Sequence, residues 1–162
     1  MMIGVISDTH IPERAGAIPQ RALEELSGMD MIIHAGDLIS SEVLETLRGI
    51  CKDVRAVHGN MDPEELKRQL PEKLVIKAGK FSIGVAHGYG PPKLLIQAMK
   101  QLFGSQHVDL VIFGHSHQPE STTDGGVIYF NPGSATDTVF APYKSFGIIE
   151  IGDTIKTKIV KI

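Results

Sequence analysis

The chain has 162 residues, a formal net charge of −3 and a single cysteine, Cys51. That length suffices for one domain that buries roughly 70% of its unfolded surface without covalent staples. One cysteine excludes an internal disulfide, and the mild acidity excludes a broad electrostatic grip on a nucleic-acid duplex or an anionic membrane. No apolar run approaches the ~20 residues needed to cross a bilayer. The first strand begins almost at Met1 with no charged leader before it, so a cytoplasmic protein is expected.

Residues 3–7 form a short Val/Ile-rich run of the kind that makes a strand buried on both faces, and it leads into Asp8 and His10. After a loop with Pro12 and Gly16, residues 19–26 read as a helix, with proline in its first turn and Leu23 and Leu26 on one side. Residues 31–33 are the next strand and lead to Asp37. Ser40 or Ser41 can then cap a helix whose Val43, Leu44 and Leu47 form an apolar stripe ending at Gly49. Residues 54–57 lead to Asn60, and Asp62-Pro63-Glu64-Glu65 shows the cap, proline and early acids of another short helix. Residues 74–76 and 81–85 flank Lys77-Ala-Gly-Lys80 as a hairpin whose second strand leads to His87.

Pro91 and Pro92 start a helix carrying Leu94, Leu95, Ala98, Met99 and Leu102, and residues 110–113 run into His115 and His117. Residues 127–130, 145–151 and 154–162 are strand-like, and Lys156, Lys158 and Lys161 fit a protected edge strand. No linker, repeat or low-complexity stretch divides residues 1–162, which are expected to form one domain. Early helices and late strands suggest two packed sheets flanked by helices.

Five strands thus end in residues able to hold a metal ion. Ligands collect outside the carboxyl ends of strands in open α/β sheets, so these side chains are expected to converge. An Asp-x-His or a strand-end histidine carries little weight alone; the ordered set carries more. That set is Asp8-x-His10, Gly36-Asp37, Gly59-Asn60-x-Asp62, His87-Gly88 and Gly114-His115-Ser-His117. It resembles the calcineurin-like metallophosphoesterase family, and within it the small single-domain phosphodiesterase branch that also carries an Asn-Pro-Gly-Ser segment, here Asn131-Pro132-Gly133-Ser134.

The resemblance spans nearly the whole chain and implies an α/β fold, a four-layer α-β-β-α sandwich of two mixed β-sheets flanked by helices. It implies a dinuclear centre with Asp8, His10, Asp37 and His117 on one ion and Asp37, Asn60, His87 and His115 on the other, Asp37 being shared. It also implies hydrolysis of a small phosphate ester, by attack of a hydroxide that bridges the ions, with Asn60 in contact with the phosphate. Carboxylate, imidazole and amide oxygen without thiolate suit two divalent ions, manganese first, with iron, nickel or zinc as alternatives. Such ions, typically ~3.5–4 Å apart, clamp a phosphoryl group and acidify water. Gly36, Gly59, Gly88 and Gly114 fit tight turns that let the ligands point inward.

One position departs from the wider family. Many members have histidine after the asparagine, proposed to protonate the leaving group, whereas Met61 stands here and carries no proton. His58, two residues before Asn60, is the substitute candidate for general acid. His34 reads as a packed histidine and His107 as an exposed one. Gly88–Lys93 is not a phosphate-cradling loop, because two prolines remove backbone donors, although Gly88 and Tyr89 can shape a pocket rim.

The competing function is a non-catalytic protein-interaction scaffold, since the retromer scaffold subunit has this fold with an eroded metal site. Completeness of the ligand set separates the two readings. A third reading, an amidohydrolase or a metallo-β-lactamase-like enzyme, would place His-x-His early in the chain, whereas here Asp-x-His comes first and His-x-His last. The expected partner is a small phosphate ester, with neither a membrane nor a nucleic-acid duplex; self-association stays open.

Overall fold

Strands and helices alternate through most of the chain in the structure, a computed structural model that describes residues 1–162. In order they are β1 (Met2–Ile6), α1 (Gln20–Leu26), β2 (Met31–His34), α2 (Glu42–Ile50), β3 (Val54–Ala56), α3 (Glu64–Gln69), β4 (Lys73–Ala78) and β5 (Phe81–Ala86). A 3₁₀ turn at Pro92–Leu94 leads into α4 (Leu95–Phe103), and β6 (Leu110–Ile112), β7 (Glu120–Asp124), β8 (Val127–Asn131), β9 (Ser145–Ile151) and β10 (Ile155–Lys161) follow.

The strands form two five-stranded sheets, ordered β10-β9-β1-β2-β3 and β4-β5-β6-β8-β7. In the first, β1, β2 and β3 run parallel while β9 and β10 are antiparallel additions on one side; in the second, β5, β6 and β8 run parallel between antiparallel edges β4 and β7, so both sheets are mixed. Ile3, Val5, Met31 and Ile33 of the first sheet meet Ile83, Val85, Leu110 and Ile112 of the second in a central core. The opposite faces are covered too. Ile6 and Ile32 meet Ala22 and Leu26 of α1 and Val43, Leu44 and Leu47 of α2, while Leu95, Met99 and Phe103 of α4 pack on Val111, Phe113 and Tyr129. The layers are therefore α-β-β-α, as the resemblance implies. Strands covered on both faces need apolar side chains at successive positions, which is why these runs lack alternation. Each fully buried Val, Ile or Leu contributes roughly 1.5–3 kcal/mol.

Three local expectations change. Glu120-Ser-Thr-Thr-Asp124 forms a strand that its sequence does not announce, because β7 is an almost wholly exposed edge with no apolar face. α2 runs one residue past Gly49, and Ser41 makes no side-chain cap; Ser40 Oγ instead accepts the Glu42 N–H at 3.2 Å. Asp62 does not cap α3; its carboxylate is used elsewhere. The hairpin and the lysine-bearing edge strand stand as expected, with Lys156, Lys158 and Lys161 exposed on β10. No helix is long and apolar enough to cross a membrane.

The parallel strands bring their carboxyl ends to one rim, where the following loops continue the register without strand geometry. Asp8 N–H donates to Gly36 O at 3.0 Å, His10 N–H to Asp37 O at 3.1 Å, and Gly114 N–H to His87 O at 3.1 Å.

Candidate metal centre

The rim departs sharply from ordinary backbone geometry. Asp8 (φ 54°), His10 (42°), Asp37 (56°), His115 (70°) and His117 (58°) all adopt left-handed φ, as does Ile39 (75°). Such a residue costs on the order of 1 kcal/mol or more, and its clustering marks a place where side-chain direction outranks backbone comfort. Asp and His tolerate the conformation better than most residues. Glycines make room for these turns in two ways. Gly36 (φ +97°) supplies a turn and lies against the His87 ring, whereas Gly59 and Gly114 are needed for close approach, since a Cβ there would strike the Asp37 and Asp8 carboxylates.

Five of the seven expected ligands converge. Asp8, His10 and His117 form one group and Asp8, Asp37 and His87 another, with the ligand atoms of each group within 4.8 Å of one another. His117 Nε2 lies 3.3 Å from Asp8 Oδ1 and 3.2 Å from His10 Nε2. Asp37 Oδ2 lies 3.2 Å from His87 Nε2 and 3.6 Å from His10 Nε2. Asp8 is thus common to both groups, while Asp37 Oδ2 faces a histidine of each. The remaining two, Asn60 and His115, line the same cavity as His10, Asp37 and His117; His115 Nδ1 is 2.9 Å from Asn60 Oδ1, and His115 Nε2 donates to Gly90 O at 3.0 Å.

A ring of supporting groups sets these directions. Asp62 accepts four backbone N–H groups, from Asp37 (3.0 Å), Leu38 (2.7 Å), Ile39 (2.7 Å) and Gly59 (2.7 Å), and so ties the loop after β2 to the loop after β3. His34 is fully buried. Its Nδ1 accepts Gly36 N–H, so Nε2 carries the proton and donates to Thr9 Oγ1 at 3.1 Å. Burial drives His34 down to about 3, so it is neutral, packed beneath the site rather than part of it. Ser134 Oγ donates to Asp8 O, Thr136 Oγ1 to Thr9 O, and Asn131 Nδ2 to Gly114 O. Asp137 accepts the His117 Nδ1–H at 2.5 Å. A carboxylate behind a histidine fixes its tautomer and leaves the other nitrogen as a lone pair. Asp137 escapes sequence reading because it lies in no regular element, and Asp62 was legible as part of the Gly59-Asn60-x-Asp62 motif and as a helix cap, but not as the acceptor that joins two loops.

The electrostatics call for a cation. Burial raises the Asp8 and Asp37 carboxyls, but His87, and for Asp8 also His117, outweigh it and hold both below the usual carboxylate range. Burial likewise lowers His87, yet the negative charges of Asp8 and Asp37 and the hydrogen bond to Ala35 lift it to about 9. His87 Nδ1 donates to Ala35 O at 2.7 Å, so in the neutral ring Nε2 is a lone pair. That Nε2 is buried without a directed hydrogen-bond partner, facing two ionised carboxylates. A lone pair beside two anions is repulsive unless a proton or a metal ion intervenes. The donor set, imidazole nitrogen and carboxylate oxygen, fits a borderline divalent ion.

The group opens into a cavity of about 350 Å³ that Arg14, Met61 and Phe140 also line. Arg14 is pinned there, its guanidinium 5.1 Å from the Phe140 ring centroid and 3.5 Å from Asp137 Oδ1. Nothing in the sequence singled it out. His58 is absent from this cavity and lines a neighbouring one with Asn60, His87, Gly88 and Tyr89, the last two at its rim as expected. His107 is exposed, 90% at its side chain, and plays no part.

Comparison with known proteins agrees with this geometry. Residues 1–154 match the model of the calcineurin-like phosphoesterase superfamily domain. A probable metallophosphoesterase of Methanocaldococcus jannaschii is 36% identical over 100% of this chain and 82% of its own length. Another, of Methanothermobacter thermautotrophicus, is 37% identical over 84% of this chain and 78% of its own. Among solved structures, wild-type Vps29 of Entamoeba histolytica complexed with zinc superposes with a TM-score of 0.77 at 33% identity, covering 99% of both chains. With its sheet order, its rim of strand-end ligands and these relatives, the chain belongs to the calcineurin-like phosphoesterase superfamily.

Proposed function

We propose that the protein is a dinuclear metal-dependent phosphodiesterase acting on a small phosphate ester. The observation that carries this reading is the buried, unpartnered His87 Nε2 facing Asp8 and Asp37, beside the second group of Asp8, His10 and His117. One ion would be held by Asp8, His10, Asp37 and His117, and the other by Asp37, Asn60, His87 and His115, manganese being the first choice. Bound ions supply positive charge to the phosphoryl oxygens and lower the pKa of water.

The chain's own residues do the rest. Arg14, held between Phe140 and Asp137, offers a planar fork suited to two phosphoryl oxygens. The Asn60 amide donates a hydrogen bond to the phosphate, where charge develops. His58 gives its proton to the leaving oxygen, the task Met61 cannot perform.

A second reading, a binding scaffold, draws on the likeness to Vps29 and on the exposed Met61 and Phe140 beside the cavity. Hydrolysis of bis-p-nitrophenyl phosphate and p-nitrophenyl phosphate with added Mn²⁺ or Zn²⁺ separates the two. The enzyme predicts metal-dependent cleavage with preference for the diester, and a fall on the order of 10³-fold in Asp37→Ala. Equal background rates in wild type and Asp37→Ala would leave the scaffold. His58→Ala is expected to slow alkyl leaving groups far more than p-nitrophenolate; equal slowing would remove His58 from the acid role.

A further inference from the structure

Asn60 belongs to two cavities. On one side lies the cavity with Arg14, His10 and His117; on the other, a cleft of about 330 Å³ opens between α3 and α4. Its walls are His58, Lys67, Glu72, Tyr89, Met99 and Leu102, and it reaches the metal centre at Asn60 and His87. A phosphate held at that junction has room for an organic group on each side. The volume lies at the lower end of the ~300–1,000 Å³ common for small-molecule sites.

The chemistry of the cleft is directional. Ala86, Met99 and Leu102 give it an apolar floor, and Tyr89, 71% exposed, stands at its lip with an aromatic face free for stacking. Lys67 and Glu72 add a donor and an acceptor; Lys67 also lies 3.6 Å from Glu64 on the solvent side. An alkyl group would use the floor and neither polar residue. A planar heteroaromatic group with donors and acceptors along its edge uses all of them.

We infer that this cleft is a subsite for the alcohol half of a phosphodiester, a group of nucleoside size and chemistry. The inference rests on the phosphodiesterase reading and names its substrate class. His58 then stands on the side of the leaving oxygen. Water contributes the oxygen that joins phosphorus and releases a proton to solvent. The bond from phosphorus to the nucleoside oxygen breaks with its electron pair on that oxygen, which takes a proton from the His58 imidazolium. A nucleoside and a phosphomonoester result.

The two cavities carry natural reporters, Met99 in the cleft and Met61 in the metal cavity. The test is a titration of the Zn²⁺-loaded protein, labelled at the methionine methyl groups and followed by NMR, with Met99→Leu and Met61→Leu assigning the signals. The probes are adenosine monophosphate, phenyl phosphate and methyl phosphate. All three are expected to shift Met61. Adenosine monophosphate is expected to shift Met99 most strongly and to bind about tenfold more tightly than methyl phosphate, the scale of one base–aromatic stack. Tyr89→Ala, at an exposed position, should remove about that tenfold and leave methyl phosphate unchanged. Leu102→Trp, which fills the cleft, should abolish the preference.

A silent Met99, with adenosine monophosphate no tighter than methyl phosphate, overturns the subsite even if metal-dependent diester hydrolysis stands. Equal response to phenyl phosphate overturns the nucleoside assignment. Failure to bind zinc or any probe removes the phosphodiesterase reading as well.

Discussion

Asp8, His10, Asp37, His87 and His117 are all buried, whereas Asn60 and His115 lie toward solvent. The first group is held from behind: Asp37 by the Met61 N–H at 2.7 Å, His87 by Ala35, His117 by Asp137, and the Asp37 turn by Asp62. The side chains of the second pair hydrogen-bond each other and Gly90, and the pair is tied to the buried group only by the His115 N–H on Asp8 and the edge-on contact of its ring with His87. Preorganised ligands bind without a further ordering cost, while loosely held ones pay it at binding. The difference teaches that the ion of Asp8, His10, Asp37 and His117, whose ligands are all buried, sits in the tight site, and that Asn60 and His115 complete the other, beside Asp37 and His87, when an ion or a phosphate arrives.

Removing the clamp should break that comparison most severely. Asp62→Ala leaves four backbone N–H groups without their acceptor, and a buried unsatisfied donor costs ~1–3 kcal/mol. A loss of at least about 3 kcal/mol is expected in denaturant unfolding, together with weaker metal binding. Asn60→Ala, by contrast, should be nearly neutral for stability. Comparable unfolding midpoints for the two variants would show that the loops after β2 and β3 are held by something other than Asp62.

His34 gives the next largest effect. Its folded pKa is about 3 against an ordinary 6.5. Between those values the unfolded chain binds more protons than the native one, so stability is full above about pH 6.5 and falls as pH drops toward 3. The loss should amount to a few kcal/mol. His34→Gln, which can still accept from Gly36 and donate to Thr9, should flatten the pH 3–6.5 segment of the stability curve. An unchanged slope would assign acid sensitivity to other groups.

Asp137→Asn is a milder change. It keeps the shape but weakens the anchor behind His117, and loss of such a partner lowers metal affinity by about 10–100-fold. Titration calorimetry should place that loss on the ion of Asp8, His10, Asp37 and His117 and leave the other within a fewfold. Loss on both would make the two groups one.

The same comparison explains what the sequence makes legible. Strands covered on both faces announce themselves as continuous apolar runs, and each ends where the chain must turn, so Asp8, His10, Asp37, Asn60, His87, His115 and His117 stand out by position. β7 does not, because Glu120–Asp124 has no apolar face to reveal it. Asp137 and Arg14 act through contacts made across the fold, which no local pattern encodes. Asp62 was visible, but Asp-Pro-Glu-Glu has the same spelling as a helix start. Nor does residue type alone disclose the left-handed φ of five expected ligands; Asp and His merely permit it.

Metal stoichiometry tests the central claim most directly. Mn²⁺ or Zn²⁺ measured per chain by elemental analysis and calorimetry should give two ions for the wild type, one tight and one weaker. Asn60→Ala and His115→Ala should each retain the tight ion and lose the weaker. A wild type that binds none, or variants that keep both ions or lose both together, would contradict a centre built from one preorganised half and one that completes on binding.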